Sequence, residues 1–303
     1  MPSVLPEPHE YAALAPTPGS PVQVAFSDVR TLATAGYATL LQVAHPTVGA
    51  GVHQYSGFTA DPWGRLLRTL DYVHGTVSGG PELAGSIGRR VREMHRTIRG
   101  VRADGEAYNA MEPDAFAWVH ATLAGAIVDG HRTFARPMCE AQAETFWRQW
   151  IDVGRLVGVR PRDLPATWRD FRPYFDRVVR EELTWTPAVP ELLETLERPL
   201  PPAIPGLHPA LWAILRRPFA LQGRLATVGL LPPELRPRLG VRLSPGEERA
   251  FRAIAAASRA SSPLIRGPLA DFSRVYVRYR GVALARGDVA AGTPEPKQAA
   301  TAA

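Results

Sequence analysis

Proline and glycine divide this chain into segments in which apolar residues recur at helical spacing. The 303 residues include 30 prolines and 26 glycines. Some prolines directly follow a good helix-capping residue, as in Asp61-Pro62 and Ser244-Pro245. Proline is tolerated at the first position of a helix but not in its interior, so these pairs indicate helix starts. Glu247, three residues after Ser244, completes a capping-box pattern. The sequence therefore predicts a succession of separate helices.

Apolar periodicity places these helices along most of the chain. The predicted helices span residues 26–44, 62–77, 81–98, 112–134, 136–157, 166–182, 208–229, 232–239, 244–259 and 264–284, with one short helix within 189–207. No run of alternating apolar and polar residues with hairpin turn signals stands out. We therefore expect an all-α fold, with a single helical domain over residues 25–286. A flexible, proline-rich arm is expected over residues 1–24, and a disordered tail over residues 287–303.

The composition is that of an ordinary globular protein with a basic balance. Apolar residues make up 45% of the chain, and the formal net charge is +6. Arginine carries nearly all of the positive charge, because lysine occurs only at Lys297. The basic residues are spread along the chain without long blocks, which argues against a nucleic-acid-binding surface. The single cysteine, Cys139, excludes an intrachain disulfide framework and a cysteine-based zinc cluster.

The N-terminal sequence gives no targeting signal. It lacks the basic region and the continuous apolar region of a signal peptide. No uninterrupted apolar window reaches the length that a membrane-spanning helix needs. We therefore expect a cytoplasmic protein without an integral membrane segment.

Two short basic motifs lie on neighbouring predicted helices. Arg65, Arg68 and Thr69 are spaced by three or four residues, as are Arg92 and His95. Such spacings place side chains on one face of a helix. The connection between the helices is rich in glycine and can reverse the chain. The two faces can therefore oppose each other and enclose a pocket.

The chemistry of these side chains points to haem as the ligand of that pocket. A helix-borne histidine is the usual proximal ligand of haem iron, and His95 has the best context for this role. Its second ring nitrogen would need a carboxylate, a carbonyl or water as partner. Arginine suits the haem propionates, because guanidinium pairs with carboxylate in a bidentate way. A lone helical histidine is more often a packed or solvated residue, so spacing alone leaves that alternative open.

Several motifs together resemble the DUF2236 family, which includes the MpaB-type oxygenases and is related to the rubber oxygenases called latex clearing proteins. The motifs are LQVAHPTVGAGV, DPWGRLLRT, the RxxH element that ends at His95, DAFAWVHATL and LVGV. The resemblance is close over roughly residues 26–175 and loose elsewhere. It implies an all-α fold with a globin-like core around haem b.

The resemblance also implies roles for individual residues. His95 corresponds to the proximal iron ligand, and Arg92 lies close to the ligand helix. Arg65, Arg68 and Thr69 match the RxxKT element, which lies on the distal side of the haem in rubber oxygenases. A further histidine of the DAFAWVHATL motif belongs inside the helical bundle. This residue, His120, is a candidate haem-pocket residue, although a hydrogen-bonded core histidine is the favoured alternative.

The sequence departs from the rubber oxygenases at two points. Arg68 replaces their distal lysine, and arginine coordinates iron poorly because it stays protonated. Their proposed catalytic glutamate also lacks a counterpart, since residues 44–60 contain no Asp or Glu. His45 and His53 are the titratable candidates there, and imidazole is the natural acid–base group near neutral pH. For His45, which precedes a proline, a structural role at a helix end is equally compatible.

These observations favour a haem b-dependent oxygenase that uses dioxygen on an apolar substrate, such as an alkene-bearing or isoprenoid lipid. The expected partners are dioxygen, the apolar substrate and an electron donor, and a homodimer is compatible with the sequence. No nucleic acid is expected. Two alternatives remain. One is a haem-binding sensor or store without turnover, and the other is a basic helical protein that binds nucleic acid or an anionic surface without haem.

Overall fold

The computed structural model describes residues 5–202 and 208–286, which form fourteen α-helices and one β-hairpin. The first helices are α1 (Tyr11–Leu14), α2 (Pro21–Ser27), α3 (Ala35–Val43), α4 (Pro46–Tyr55), α5 (Pro62–Ser78) and α6 (Pro81–His95). The antiparallel hairpin follows, with strands β1 (Arg99–Val101) and β2 (Ala107–Asn109). The remaining helices are α7 (Pro113–Phe134), α8 (Glu140–Val157), α9 (Trp168–Glu181), α10 (Ala188–Glu197), α11 (Pro209–Leu230), α12 (Leu235–Arg238), α13 (Pro245–Ala260) and α14 (Phe272–Arg286).

Short 3₁₀ segments connect several of the helices. They cover Pro8–Glu10, Val29–Thr34, Pro161–Asp163, Ser262–Leu264 and Gly267–Leu269. The prediction of a mostly helical chain is thus confirmed for the described residues. None of the helices described is both long and apolar enough to cross a lipid bilayer.

The predicted helix over residues 26–44 is wrong in its boundaries. The structure breaks this stretch into α2, a 3₁₀ segment and α3, because Asp28 interrupts the helical hydrogen bonding. The Asp28 carboxylate accepts from the backbone N–H of Arg30 at 3.0 Å and pairs with its guanidinium. Aspartate competes with the helix in this way through its short side chain. Ser20 caps the earlier helix by accepting from the backbone N–H of Gln23.

Two further segments differ from the predictions. The polar turn after α6 contains the β-hairpin, in which Tyr108 packs against Ala50 and Ile98. The N-terminal segment, expected to be a loosely attached arm, is helical around Tyr11 and Leu14, and both side chains are buried. Burial of these apolar side chains fixes the segment to the body. The predicted tail, residues 287–303, lies outside the described residues.

Three buried tryptophans organise the core between α3, α7, α8 and α9. Trp118, Trp147 and Trp150 are each less than 2% exposed. Each indole N–H donates to a backbone carbonyl, with acceptors at Leu41, Pro165 and His120. A buried indole needs such a partner, because its N–H loses water on folding. These bonds fix the relative positions of the helices that support α5 and α6.

Close contacts at glycine hold α6 against its neighbours. A side-chain carbon on Gly88 of α6 would overlap the carbonyl oxygen of Leu156 in α8. A carbon on Gly75 of α5 would overlap the side chain of Ile87 in α6. Glycine therefore allows both helix pairs to approach more closely than any other residue would. These two contacts set where the end of α6, with His95, lies.

Helix α14 packs against α5 through a buried polar network. Asp71 of α5 is 2% exposed and accepts from the hydroxyl of Tyr276 at 2.6 Å. The guanidinium of Arg280 donates two further hydrogen bonds, at 3.0 and 2.7 Å. The carboxylate raises the pKa of Arg280, which stays charged. His74 donates from Nδ1 to Ser273 at 2.7 Å, so hydrogen bonds at both Asp71 and His74 join α14 to the back of α5.

The Gly88 contact predicts a large penalty for a single methyl group. Gly88→Ala should lower the free energy of unfolding by about 1–3 kcal/mol, because the overlapping partner is backbone and cannot rotate away. Gly223→Ala is a matched control, since nothing lies within 4 Å of a carbon added there. The control should be neutral or more stable by about 0.5–1 kcal/mol. Equal urea midpoints for the two variants would contradict the packing argument.

Buried neutral histidines predict loss of stability in mild acid. Burial lowers the pKa of His74 and of His120 to about 4, below the ordinary value of 6.5. Between these pH values the unfolded chain binds more protons, so the free energy of unfolding falls as the pH decreases. Each histidine contributes at most about 1.4 kcal/mol per pH unit in this window.

His120→Gln isolates this effect for one residue. The glutamine amide can still donate to the carbonyl of Trp150, which accepts from His120 Nε2 at 2.7 Å. Urea unfolding at pH 7, 6 and 5 should therefore show a shallower pH dependence in the variant. An unchanged slope would contradict the assigned protonation state.

Candidate active site

One face of α5 carries the first predicted motif. The helix starts as expected, with Asp61 Oδ1 accepting from the backbone N–H of Gly64 at 2.8 Å. Arg65 Nη1 donates to Thr69 Oγ1 at 3.1 Å, and this hydroxyl donates to the carbonyl of Arg65 at 3.0 Å. Arg68 instead extends back toward Asp61, with Nη1 3.5 Å from Oδ2. The structure thus joins Arg65 and Thr69 directly and directs Arg68 to the helix start.

Tyr72 extends this face by a further turn. It lies seven residues after Arg65 and three after Thr69, a spacing that keeps all three on one side of α5. Burial raises the pKa of Tyr72, so the phenol stays neutral. The sequence analysis did not include Tyr72, although its spacing of seven residues from Arg65 already indicated that both lie on the same face of α5.

His95 is the last residue of α6 and has one ring nitrogen fixed. Nδ1 lies 2.7 Å from the carbonyl oxygen of Val91, one turn earlier. A carbonyl can only accept, so Nδ1 carries the proton and Nε2 presents a lone pair. Nε2 has no hydrogen-bond partner in the part of the chain that the structure describes. The edge of the ring packs against Phe116 of α7, with centroids 5.8 Å apart. This is the orientation that metal-binding histidines adopt.

Arg65 and His95 lie close enough for the charge of Arg65 to act on the imidazole. Burial is the main cause that lowers the pKa of His95, and the charge of Arg65 lowers it further. The imidazole is therefore neutral near pH 7, which is the form that binds metals. Desolvation and Arg68 lower the pKa of Arg65, although its side chain remains accessible to solvent.

Two other predicted residues lie in different surroundings. Arg92 rests beside Gly158 at the end of α8, and burial lowers the pKa of Arg92. His120 is 2% exposed and stacks on Trp150 with ring centroids 4.5 Å apart. Its contacts are thus in the core between α7 and α8, as the core alternative predicts. Neither residue shares a described contact with His95.

His45 belongs to a separate cleft of about 380 Å³. It precedes α4, is buried, and has Nε2 3.7 Å from the carboxylate of Glu182. Burial lowers the pKa of His45, and the charges of Glu182 and Glu112 oppose this effect. The other charged groups that line the cleft are Arg102 and Asp114. None of these groups is on α5 or α6, and no described hydrogen bond or ion pair joins His45 to Arg65 or His95.

The partner of His53 is a carboxylate from a distant part of the chain. Its Nδ1 lies 2.6 Å from Oε1 of Glu191, which is on α10 and 138 residues away in the chain. The side chain of His53 is 42% exposed. No local signal could have revealed Glu191, because only the packing of α4 against α10 places the two side chains together. Within residues 5–202 and 208–286, no group of three or more His, Cys, Asp or Glu side chains has metal-binding geometry.

Comparison with known proteins places these features in a family context. Residues 24–260 match the family described as ER-bound oxygenase mpaB/B'/Rubber oxygenase, catalytic domain. An uncharacterized protein of Mycobacterium bovis, Mb2261, is 26% identical over 239 residues, which cover 75% of this chain and 86% of that protein. An uncharacterized protein of Mycobacterium tuberculosis, Rv2237, has the same identity and coverage. No solved structure gives a significant match. The family match confirms the resemblance drawn from the sequence, and the chain belongs to the mpaB and rubber oxygenase catalytic-domain family.

Proposed function

We propose that this protein is a cytoplasmic haem b-dependent oxygenase that acts with dioxygen on an apolar substrate. The observation that carries the proposal is the state of His95. Its Nδ1 is held by the Val91 carbonyl at 2.7 Å, and its Nε2 lone pair is available. Membership of an oxygenase family supports the reaction class. When bound, haem would supply a redox-active iron that activates dioxygen.

The residues around His95 fit such a group. A single neutral imidazole is the protein ligand that haem iron needs, and the low pKa of His95 keeps it unprotonated. Its orientation is fixed, because Nδ1 donates within α6. Phe116 packs against the ring edge and restricts its rotation. We therefore propose that His95 would hold the haem iron, and we do not propose His120 as a haem contact.

Arg65 and Thr69 would supply positive charge and hydrogen bonds beside the ligand. Thr69 accepts from only one N–H of Arg65, and a guanidinium has five. The remaining donors have no other hydrogen-bond partner among the described residues. They suit a carboxylate, such as a haem propionate, or a developing negative charge on oxygen. Arg68, held near Asp61 and permanently charged, would act by its field and not as an iron ligand.

His53 and Glu191 form the pair best suited to move a proton. Because Nδ1 of His53 donates to Glu191 Oε1 at 2.6 Å, the proton is fixed on that nitrogen. Nε2 is then the basic atom, and the carboxylate stabilises the imidazolium when Nε2 takes up a proton. We propose that this pair replaces the upstream glutamate of the rubber oxygenases.

The proposed role of His95 in holding the haem iron can be tested by measuring haem content. His95→Ala should fold but lose the Soret band after haemin addition. The loss in affinity should exceed the roughly 10- to 100-fold that removal of a supporting hydrogen bond costs a metal site. Imidazole added to the variant should restore part of the band, because it can occupy the position of the missing ring. Full haem retention in folded His95→Ala would contradict the assignment.

The proposed proton carrier can be tested separately. His53→Gln should keep the haem content of the wild type, but oxygen consumption with reductant and an alkene-bearing lipid should fall by about 10²–10⁴-fold. Glu191→Gln should show a smaller loss, because the imidazole remains. If the wild type binds haem and carbon monoxide but consumes no oxygen with any such lipid, the protein is a haem sensor or store instead.

A further inference from the structure

The first half of α11, residues 209–223, exposes large apolar side chains that the other described residues, 5–202, 208 and 224–286, do not cover. Leu211, Ile214, Leu215, Phe219 and Leu221 are between 47% and 69% exposed. The second half of the same helix is buried, as Leu225 and Val228 are 1% and 0% exposed. We call residues 209–223 the apolar half-helix. A single helix that exposes five such side chains forms an apolar patch of the kind that marks an interaction site.

Two positive charges lie opposite the apolar face of this half-helix. Leu211, Ile214 and Leu215 are spaced by three and four residues and share one side of the helix. Arg216 and Arg217 follow directly, and steps of about 100° per residue place both on the opposite side. Both are exposed and form no ion pair within the described part of the chain. No acidic residue occurs between Pro209 and Leu230.

Aromatic side chains connect the half-helix to the candidate active site. Trp212 and Phe219 pack against Trp63, with ring centroids 6.4 and 5.9 Å from it. Trp63 lies on α5 two residues before Arg65 and donates from its indole to the carbonyl of Leu200 at 2.8 Å. The indole of Trp212 donates to the carbonyl of Pro199 at 3.2 Å. The apolar patch therefore borders the helix that carries the site.

We propose that the apolar half-helix binds the surface of a lipid bilayer that contains acidic lipids. An apolar face with arginine on the opposite, polar face matches a helix that lies in the membrane interface, where long arginine side chains reach up to the headgroups. The unpaired positive charges complement anionic headgroups. A bilayer meets both requirements of this surface, apolar contact and negative charge.

Membrane binding would hold α5, the helix that carries Trp63 and Arg65, near a bilayer in which an apolar substrate would dissolve. This consequence rests on the proposed oxygenase function. The binding itself does not, because it requires neither haem nor dioxygen.

Vesicle co-sedimentation of the full chain tests the proposal. The wild type should bind phosphatidylcholine vesicles that contain phosphatidylglycerol, and binding should weaken as the salt concentration rises. The double variant Ile214→Glu, Leu215→Glu should lose at least tenfold in partitioning, with an unchanged circular dichroism spectrum. Leu264→Glu is the matched control, because Leu264 is 76% exposed in a separate 3₁₀ turn, and it should bind like the wild type.

The arginines provide an independent readout. Arg216→Gln and Arg217→Gln should each reduce binding to the anionic vesicles by about fivefold. Both should leave binding to pure phosphatidylcholine unchanged.

If the wild type does not bind vesicles, or if Leu264→Glu weakens binding as much as the double variant, the proposal is overturned. A wild-type homodimer that the double variant converts to monomer, without vesicle binding by either, would assign the patch to a second copy instead. Loss of vesicle binding with an unchanged Soret band would separate this result from a failure of the haem assignment.

Discussion

The packing of α6 against α8 at Gly88 is the contact on which the candidate site depends. The helix ends at His95, and its path is set where Gly88 meets the carbonyl of Leu156 with no space for a side chain. The contact between Gly75 of α5 and Ile87 of α6 fixes the second helix of the site. The polar network around Asp71 holds α5 from the other side. Because helices are stiff, contacts about two to three turns away suffice to bring Arg65 and His95 together.

Electrostatics within the site follow from this arrangement. Burial and the charge of Arg65 both disfavour a charged imidazole, so His95 is neutral at the pH of the cell. The Val91 carbonyl opposes this shift, yet it also fixes the proton on Nδ1. A positive charge beside a neutral, oriented imidazole suits an anionic cofactor with a metal centre. The contrast with His120 is informative, because it is also neutral but uses Nε2 to donate to Trp150 inside the core.

The sequence predicted the helical class, several helix bounds and the shared face of Arg65 and Thr69, because these features depend on local spacing and capping. The start of α5 at Asp61-Pro62 is one example, and the capping box at Ser244 is another. Predictions from local spacing failed where side-chain hydrogen bonds or contacts between distant parts of the chain determine the structure. Asp28 divides a continuous apolar pattern through its own hydrogen bonds. Glu191 reaches His53 across 138 residues, a distance over which periodicity carries no information. His45 likewise lies in another cleft because α4, α7 and the end of α9 meet there.

The proposed function depends on binding of haem iron by the Nε2 atom of His95. An absorption spectrum of the purified protein with haemin, recorded before and after dithionite, tests it most directly. We expect a Soret band that saturates at one haemin per chain and shifts on reduction, as a histidine-bound iron should show. A spectrum equal to that of free haemin, unchanged in position by the protein at any ratio, would contradict the claim. Arg65, Thr69 and His95 would then be a packed polar cluster between two helices, without a cofactor.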